Sequence, residues 1–324
     1  MADRDEVSDD RKAVVVRSEN AVVPANEPDT TNLEEIITID PETEELYLNH
    51  KRISKMEHFE PLVRIERLYL RWNLIKKIEG LDTLTTLKEL ELYDNQIEEI
   101  ENLDALISLE WLDISFNRLS QIKNLSNLPA MQKIFLCANR ISKIENLEQL
   151  STLTTLELGD NRIRVIENLD SLQNLTHLYL SKNKIRKIEN LDALVNLRCL
   201  ALQANRIVKI ENLDKLVNLE ELYISENGIE KIENLEGNKL LTTLDVAKNR
   251  LKSIDNVSHL TDLEEFWVNG NQIADWKNID QLQANKKLST IYMEHNPIAS
   301  DVQYRMKVKL ALPWLEQLDA TLCH

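Results

Sequence analysis

The sequence contains few of the residues that usually build turns and cross-links. Only five glycines and seven prolines occur in 324 residues, so the turns of the chain must depend on other side chains. The three cysteines are odd in number and follow no pattern, which fits a reducing compartment better than a disulfide-stabilised fold. The sequence shows no secretory signal and no apolar run long enough to span a bilayer, and it predicts a soluble intracellular chain.

A repeat of 22 residues organises most of the chain. From Asn183, apolar residues follow at steps of two or three: Ile185, Ile188, Leu191, Leu194, Leu197, Leu200 and Leu202. The same asparagine recurs without a slip at positions 73, 95, 117, 139, 161, 183, 205, 227, 249 and 271. This is the pattern L-x-x-L-x-L-x-x-N of a leucine-rich repeat. It predicts an α/β repeat fold, a curved solenoid with a parallel inner sheet and short helical or 3-10 outer turns. The asparagine amides are expected to satisfy buried backbone groups.

Departures from the repeat divide the chain into three segments. Residues 1–41 are acidic and unpatterned, which predicts a mostly disordered tail. Residues 42–297 are predicted to form a solenoid of about 12 repeats, with Lys51 replacing the first asparagine. Within it, Asn238 stands in a leucine position, and we expect the outer turn there to be distorted.

Residues 298–324 are predicted to form a C-terminal cap. Ser300 and Asp301 have the composition of a helix start, and Pro313 should end the helix. Val302, Met306 and Leu310 have helical spacing, so the helix is expected to cover the open end of the core.

The strand positions that the leucines do not use predict a binding surface. Four such positions on each of 12 strands give 48 residues, which hold 11 of the 16 aromatic residues. They also carry 12 acids against five bases. Aromatics suit strands in general, but this excess is typical of a protein interface, and the charge favours a basic partner. The net charge of −16 argues against nucleic acid or an anionic membrane as the partner.

Residues that would support catalysis are hard to find. The sequence has no glycine-rich phosphate loop, no C-x-x-C, and no metal-ligand spacing among its six histidines, so we predict no cofactor and no metal site. Asp113 and Glu157, two strands apart in the predicted sheet, are expected to lie open to water, where nothing would raise their pKa. An enzyme is the alternative from a different functional class.

Several segments resemble a known family beyond the repeat itself. They are the "KIENL" segments, "LELYDNQI", "LDISFNRL", "EFWVNGNQI" and "YRMKVKLALPWLEQLDA". From about residue 40 to the C-terminus the chain closely resembles the protein phosphatase 1 regulatory subunit 7 family. The acidic tail is similar in character only.

The resemblance implies a non-catalytic regulator that binds the catalytic subunit of protein phosphatase 1 through the concave face. The implied contact residues are Asp113, Phe135, Glu157, Tyr179, Glu265, Trp267 and Tyr292. At position 179 the family typically has phenylalanine, so the tyrosine hydroxyl is a departure. The resemblance also implies nuclear and cytoplasmic pools and a ternary complex with a small phosphatase inhibitor protein. A scaffold of a spliceosomal or axonemal complex is the alternative binding function, because such proteins share the repeat class and the helical cap.

Overall fold

The structure, a computed structural model, describes residues 39–323. Residues 1–38 of the predicted disordered tail lie outside the described residues. The described chain divides into two compact units, the first comprising residues 39–119 and 123–131 and the second residues 120–122 and 132–323. No helix among the described residues is long and apolar enough to cross a membrane.

Each unit is built from three-residue strands that pair in parallel and in chain order. The first unit contains β1 (Glu45–Tyr47), β2 (Arg67–Tyr69), β3 (Glu89–Glu91) and β4 (Trp111–Asp113). The second contains β5 (Lys133–Phe135), β6 (Thr155–Glu157), β7 (His177–Tyr179), β8 (Cys199–Ala201), β9 (Glu221–Tyr223), β10 (Thr243–Asp245), β11 (Glu265–Trp267) and β12 (Thr290–Tyr292). Every pair aligns residues one repeat apart, and the central residue of each strand from β2 to β12 is fully buried in the core.

The apolar positions of the repeat form the core, as predicted. In the repeat that begins at Asn183, all seven apolar side chains from Ile185 to Leu202 are fully buried. The outer segments connect the strands through successive turns, each closed by a bond from an N–H to the carbonyl three residues earlier. In this repeat the Leu194 N–H bonds the Leu191 carbonyl at 3.0 Å or less, and Leu197 bonds Leu194 in the same way. Such i to i+3 bonds are those of a 3-10 helix.

The repeat asparagines hold neighbouring repeats together, which confirms their predicted structural role. Asn183 Nδ2 donates to the carbonyl oxygens of Leu158 at 2.9 Å and Leu180 at 3.1 Å. Its Oδ1 accepts from the Ile163 N–H at 2.9 Å. One side chain therefore satisfies backbone groups of two repeats, so glycine is not needed at the turn.

The predicted distortion at Asn238 is wrong. Its side chain is fully buried, and Nδ2 donates to the carbonyl oxygens of Leu213 and Leu216, both at 2.9 Å. The turn bond from the Asn238 N–H to the Leu235 carbonyl measures 3.0 Å, the value of the matching bond one repeat earlier. The amide therefore replaces leucine by bonding the backbone of the preceding turn, and the chain path is unchanged.

A second series of asparagines, which was not predicted, supports the outer turns. Asn190 adopts a left-handed backbone with φ 59°, and its Nδ2 donates to the Ile166 carbonyl at 2.7 Å. Equivalent bonds are made at positions 102, 124, 146, 168, 212 and 234. Asparagine tolerates this conformation better than most residues do. Gly80 occupies the same position one repeat before Asn102, with φ 71°.

The C-terminal segment contains the predicted helix, but its buried face differs from the prediction. Helix α1 (Lys277–Asp280) precedes β12, and a 3-10 helix (Pro297–Ser300) leads to helix α2 (Tyr304–Ala311). Strand β13 (Gln317–Leu318) pairs in parallel with β12, and β14 (Thr321–Leu322) pairs antiparallel to β13.

Val302, Met306 and Leu310 are exposed, so the predicted core contact of these residues is wrong. The buried stripe consists of Tyr304, Val308 and Leu312, which has the same four-residue spacing. Spacing alone cannot choose between two such stripes. The helix begins at Tyr304, whose hydroxyl donates to Asp319 at 3.4 Å, and this contact fixes which face is covered.

Candidate functional site

In each unit, the strand residues that the core does not use lie on one side of the sheet, and we call these residues the strand face. It comprises the first and third residues of strands β1–β12 and the two residues before each repeat asparagine. Because side chains alternate along a strand, the first and third residues point away from the buried central residue. Trp267, for example, lies beside the fully buried Phe266 but is itself only half-buried.

Strands β11 and β12 bring three of the sequence-predicted contact residues together. Trp267 and Tyr292 are register partners, and their ring centroids lie 5.6 Å apart at an interplanar angle of 63°. This is the edge-on geometry that aromatic pairs prefer. Glu265 lies at the other end of the same short strand as Trp267. These positions place an aromatic pair beside a carboxylate.

The two rings are held more firmly than a freely exposed pair would be. The Gln317 Nε2 donates to the Tyr292 hydroxyl at 2.7 Å, so the cap supports this ring from the next strand. The Trp267 Nε1–H is buried and has no acceptor among the described residues. The Trp267 ring therefore rests on Tyr292, and its polar edge points away from water. It has no hydrogen bond to lose if the ring adjusts to a partner.

Strands β5–β7 form a second group from the predicted set. Phe135 aligns with Glu157, and Glu157 aligns with Tyr179 on the following strand. The Gly159 N–H donates to Glu157 Oε1 at 2.5 Å, which restrains the carboxylate on the strand face. Burial raises the pKa of the Tyr179 phenol, so it stays a neutral hydrogen-bond donor at physiological pH.

Asp113, the remaining predicted contact residue, belongs to the first unit. It aligns with Glu91 of β3, and its Oδ1 accepts from the Ser115 N–H at 2.8 Å. The prediction that Asp113 and Glu157 lie open to water is wrong, because both side chains are half-buried. Burial raises the pKa of Asp113 above its ordinary value, although the bonds to Ser115 act in the opposite direction.

The structure also identifies a buried carboxylate that sequence reasoning did not single out. Asp245 aligns with Trp267, yet it is almost fully buried. Its oxygens accept from the Ser225 hydroxyl at 2.6 Å and the Ala247 N–H at 3.0 Å. Burial raises the pKa of Asp245 despite these bonds. The 22-residue spacing places it on the strand face, but nothing in the sequence shows that its neighbours cover it.

Ion pairs on the strand face leave its excess of carboxylates unchanged, because each pair removes one acid and one base. At least three of the five bases are paired with carboxylates of the same face. Arg67 lies 3.2 Å from Glu45, Lys248 lies 2.7 Å from Glu226, and Arg71 bonds Glu91. These pairs neutralise cations that could otherwise bind an acidic partner. The remaining excess of carboxylates favours a basic partner.

Comparison with known proteins agrees with the repeat and its stacking. The family described as "Leucine Rich repeats (2 copies)" matches residues 151–193, 195–237 and 239–283. The chain folds as a leucine-rich-repeat solenoid. Solved structures of similar fold superpose on it well.

Two solved structures illustrate the extent of that likeness. An internalin (inlF) from Listeria monocytogenes covers 89% of this chain and 91% of its own, with a TM-score of 0.71 and 21% identity. A leucine-rich-repeat protein from Leptospira interrogans covers 80% of this chain and 74% of its own, with a TM-score of 0.66 and 21% identity. At these identities the likeness concerns the fold alone.

Curated relatives match a shorter region at higher identity. Human protein phosphatase 1 regulatory subunit 7 is 56% identical over 46 residues, which is 14% of this chain and 13% of that protein. The same protein from Danio rerio is 51% identical over 46 residues, and that from Xenopus tropicalis is 50% identical over 47 residues. The matched region thus spans only a small part of the relatives' length.

Proposed function

We propose that this chain is a non-catalytic regulatory subunit that binds the catalytic subunit of protein phosphatase 1 through its strand face. The supporting observation is the Trp267–Tyr292 pair beside Glu265, on adjacent strands of the second unit. None of these side chains fills the core, which is complete without them. Aromatic rings with a neighbouring carboxylate have the composition of an interface hot spot.

The name of the relatives supports the choice of partner. They are regulatory subunits of protein phosphatase 1, although the match covers a small region of them. In the proposed complex the rings supply apolar area that loses its water, and Glu157 and Glu265 orient basic groups of the phosphatase. Binding would control the activity, maturation or localisation of the phosphatase in the nucleus and the cytoplasm. A small phosphatase inhibitor protein would join the same complex.

Isothermal titration of the full chain with the purified catalytic subunit tests the proposal directly. The parent chain should bind, and a Glu265→Ala/Trp267→Ala variant should bind much more weakly. Glu148→Ala, which changes an exposed glutamate of an outer segment, provides a matched control that should bind like the parent. Phosphatase assays with and without the chain would then show the sign of the regulation.

If the parent chain does not bind the phosphatase, the proposal fails. The scaffold of a spliceosomal or axonemal complex would then be the better candidate. The helical cap, with α2 after the last repeat, is the feature that such a scaffold would share.

A further inference from the structure

Four aromatic rings form a continuous row in the first unit. Of the residues in the proposed phosphatase contact, Asp113 belongs to this unit and the others belong to the second. The rings of His50 and Trp72 are stacked with centroids 4.3 Å apart. Trp72 meets Tyr93 edge-on at 5.7 Å, and Tyr93 lies 4.8 Å from Phe116 at a tilted angle. We call these four residues the aromatic ridge. It crosses four successive repeats, and Trp72 and Phe116 are 41% and 46% exposed.

The backbone beneath the ridge is unusual for bulky side chains. Three residues of the ridge directly precede the asparagine position of their repeat and have left-handed backbones. Their φ angles are 58° at His50, 55° at Trp72 and 56° at Phe116. A bulky aromatic residue at positive φ is strained, because its Cβ approaches the following carbonyl. The N–H at this position donates to a carbonyl of the next repeat whatever the side chain is. At Asp94, for example, it donates to the Ser115 carbonyl at 3.0 Å.

The second unit shows what the repeat alone requires at this position. Its residues there are small or polar: Ala138, Asp160, Lys182, Ala204, Glu226, Lys248, Gly270 and His295. None of them is Phe, Tyr or Trp. The fold thus imposes the left-handed backbone on every repeat, and it accepts alanine, lysine or aspartate there. The aromatic side chains of the first unit are therefore not required by the backbone at this position.

The charges beside the ridge indicate what it binds. Asp94 is exposed and occupies the same row, between Trp72 and Phe116 in repeat order. Arg71, the guanidinium adjacent to Trp72 in the chain, is already bonded to the buried carboxylate of Glu91. Half-exposed rings beside a carboxylate that has no ion pair among the described residues attract a cation. Arginine suits them best because its planar, weakly hydrated guanidinium stacks on rings.

We propose that the aromatic ridge binds an arginine-bearing extended segment of a partner protein. The guanidinium would stack on the rings of Trp72 and Phe116 while Asp94 accepts its hydrogen bonds. This site does not depend on the phosphatase contact, whose other residues belong to the second unit.

Labelled peptides test the ridge by fluorescence polarisation with the full chain. Four peptides share the same flexible Gly-Ser sequence with one leucine. They differ only in one pair of residues, which is two arginines, two lysines, two citrullines or two glutamates. Citrulline keeps the planar shape of arginine but removes its charge. The arginine peptide should bind tightest, by about threefold or more over lysine, and the citrulline and glutamate peptides should bind weakest.

A Trp72→Asn/Phe116→Asn variant should lose the preference for arginine. Asparagine tolerates a left-handed backbone, so the melting temperature should stay at the parent's value or rise. Asp94→Asn should weaken arginine and lysine peptides alike, and the control Glu148→Ala should bind all four peptides as the parent does. The proposal is overturned if arginine and lysine peptides bind equally, if the ridge variant keeps the preference, or if no arginine binding is seen. It is also overturned if the ridge variant melts more than about 4 °C below the parent, because the rings would then be structural.

Discussion

Glu157 and Gly159 are joined by a hydrogen bond from the Gly159 N–H to Glu157 Oε1, and a Cβ on residue 159 would lie 2.6 Å from that oxygen. Gly159 does not have a positive φ, so alanine suits its backbone. Glycine at position 159 therefore leaves room for the Glu157 carboxylate, and the backbone conformation does not require it.

Gly159→Ala should show whether phosphatase binding depends on where the Glu157 carboxylate lies, and not only on its presence. We expect the variant to melt close to the parent, because the only close contact is the end of a flexible side chain. The displaced carboxylate should nevertheless weaken binding to the phosphatase catalytic subunit, in the same direction as Glu157→Ala. Titration calorimetry and thermal melts of both variants measure the two effects. Parent-like binding by both would remove Glu157 from the proposed contact.

Phe266 and Trp267 are adjacent in sequence and should give opposite results. Trp267→Ala should cost about 2–4 kcal/mol of phosphatase binding, the range of a central hot spot, while the melt changes little. Phe266→Ala should cost about 3–5 kcal/mol of folding stability, because that fully buried ring fills a core position. Titrations and denaturant melts of the two variants measure both quantities. A Trp267→Ala variant that binds like the parent would defeat the proposed anchor.

Asp245→Asn should change how stability depends on pH. Burial raises the folded-state pKa of Asp245 above its ordinary value of 3.8, so ionisation works against the folded state. The parent therefore loses stability relative to the variant as pH rises from 3.8 through the folded-state pKa. Near neutral pH the variant should be at least as stable as the parent, since its amide can bond Ser225 and Ala247 as well. Below 3.8 that difference should vanish. Denaturant melts of both proteins from acid to neutral pH check this; a variant that is less stable at neutral pH would contradict it.

The repeat core could be predicted from the sequence because each position recurs 22 residues later in the same surroundings. One repeat such as the one at Asn183 therefore predicts the burial of all the others. The register of Trp267 with Tyr292 was predictable for the same reason, although three extra residues separate their repeats.

Features that depend on neighbouring side chains could not be predicted in this way. Val302 and Tyr304 begin stripes of equal spacing, and only the contact with Asp319 decides which is buried. Asp245 and Glu157 occupy equivalent strand positions, yet only Asp245 is almost fully covered. The second asparagine series was visible as a 22-residue period, but its role depends on left-handed backbone angles that no pattern of apolar residues reveals.

Salt should slow the association of the chain with the phosphatase catalytic subunit. The strand face has an excess of carboxylates, and long-range attraction of a basic partner is screened over about 8 Å at physiological ionic strength. We expect the association rate to fall between low and physiological salt while the dissociation rate changes less. Stopped-flow or surface-binding kinetics would measure both. An association rate that does not change with salt would contradict long-range electrostatic attraction of the partner. It would not contradict the proposed contact residues.

Asn190 allows the backbone role of the second asparagine series to be separated from its hydrogen bond. Asn190→Gly keeps a residue that accepts φ 59° but loses the bond from Nδ2 to the Ile166 carbonyl, so we expect a loss of about 0.5–1.5 kcal/mol. Asn190→Ala loses the same bond and also places a Cβ in the left-handed region, which should add about 1–2 kcal/mol. Gly80 shows that glycine is accepted at this position of the repeat. Denaturant melts of the two variants give the difference directly. Equal losses would mean that the side-chain bond, and not the backbone angle, explains why asparagine recurs here.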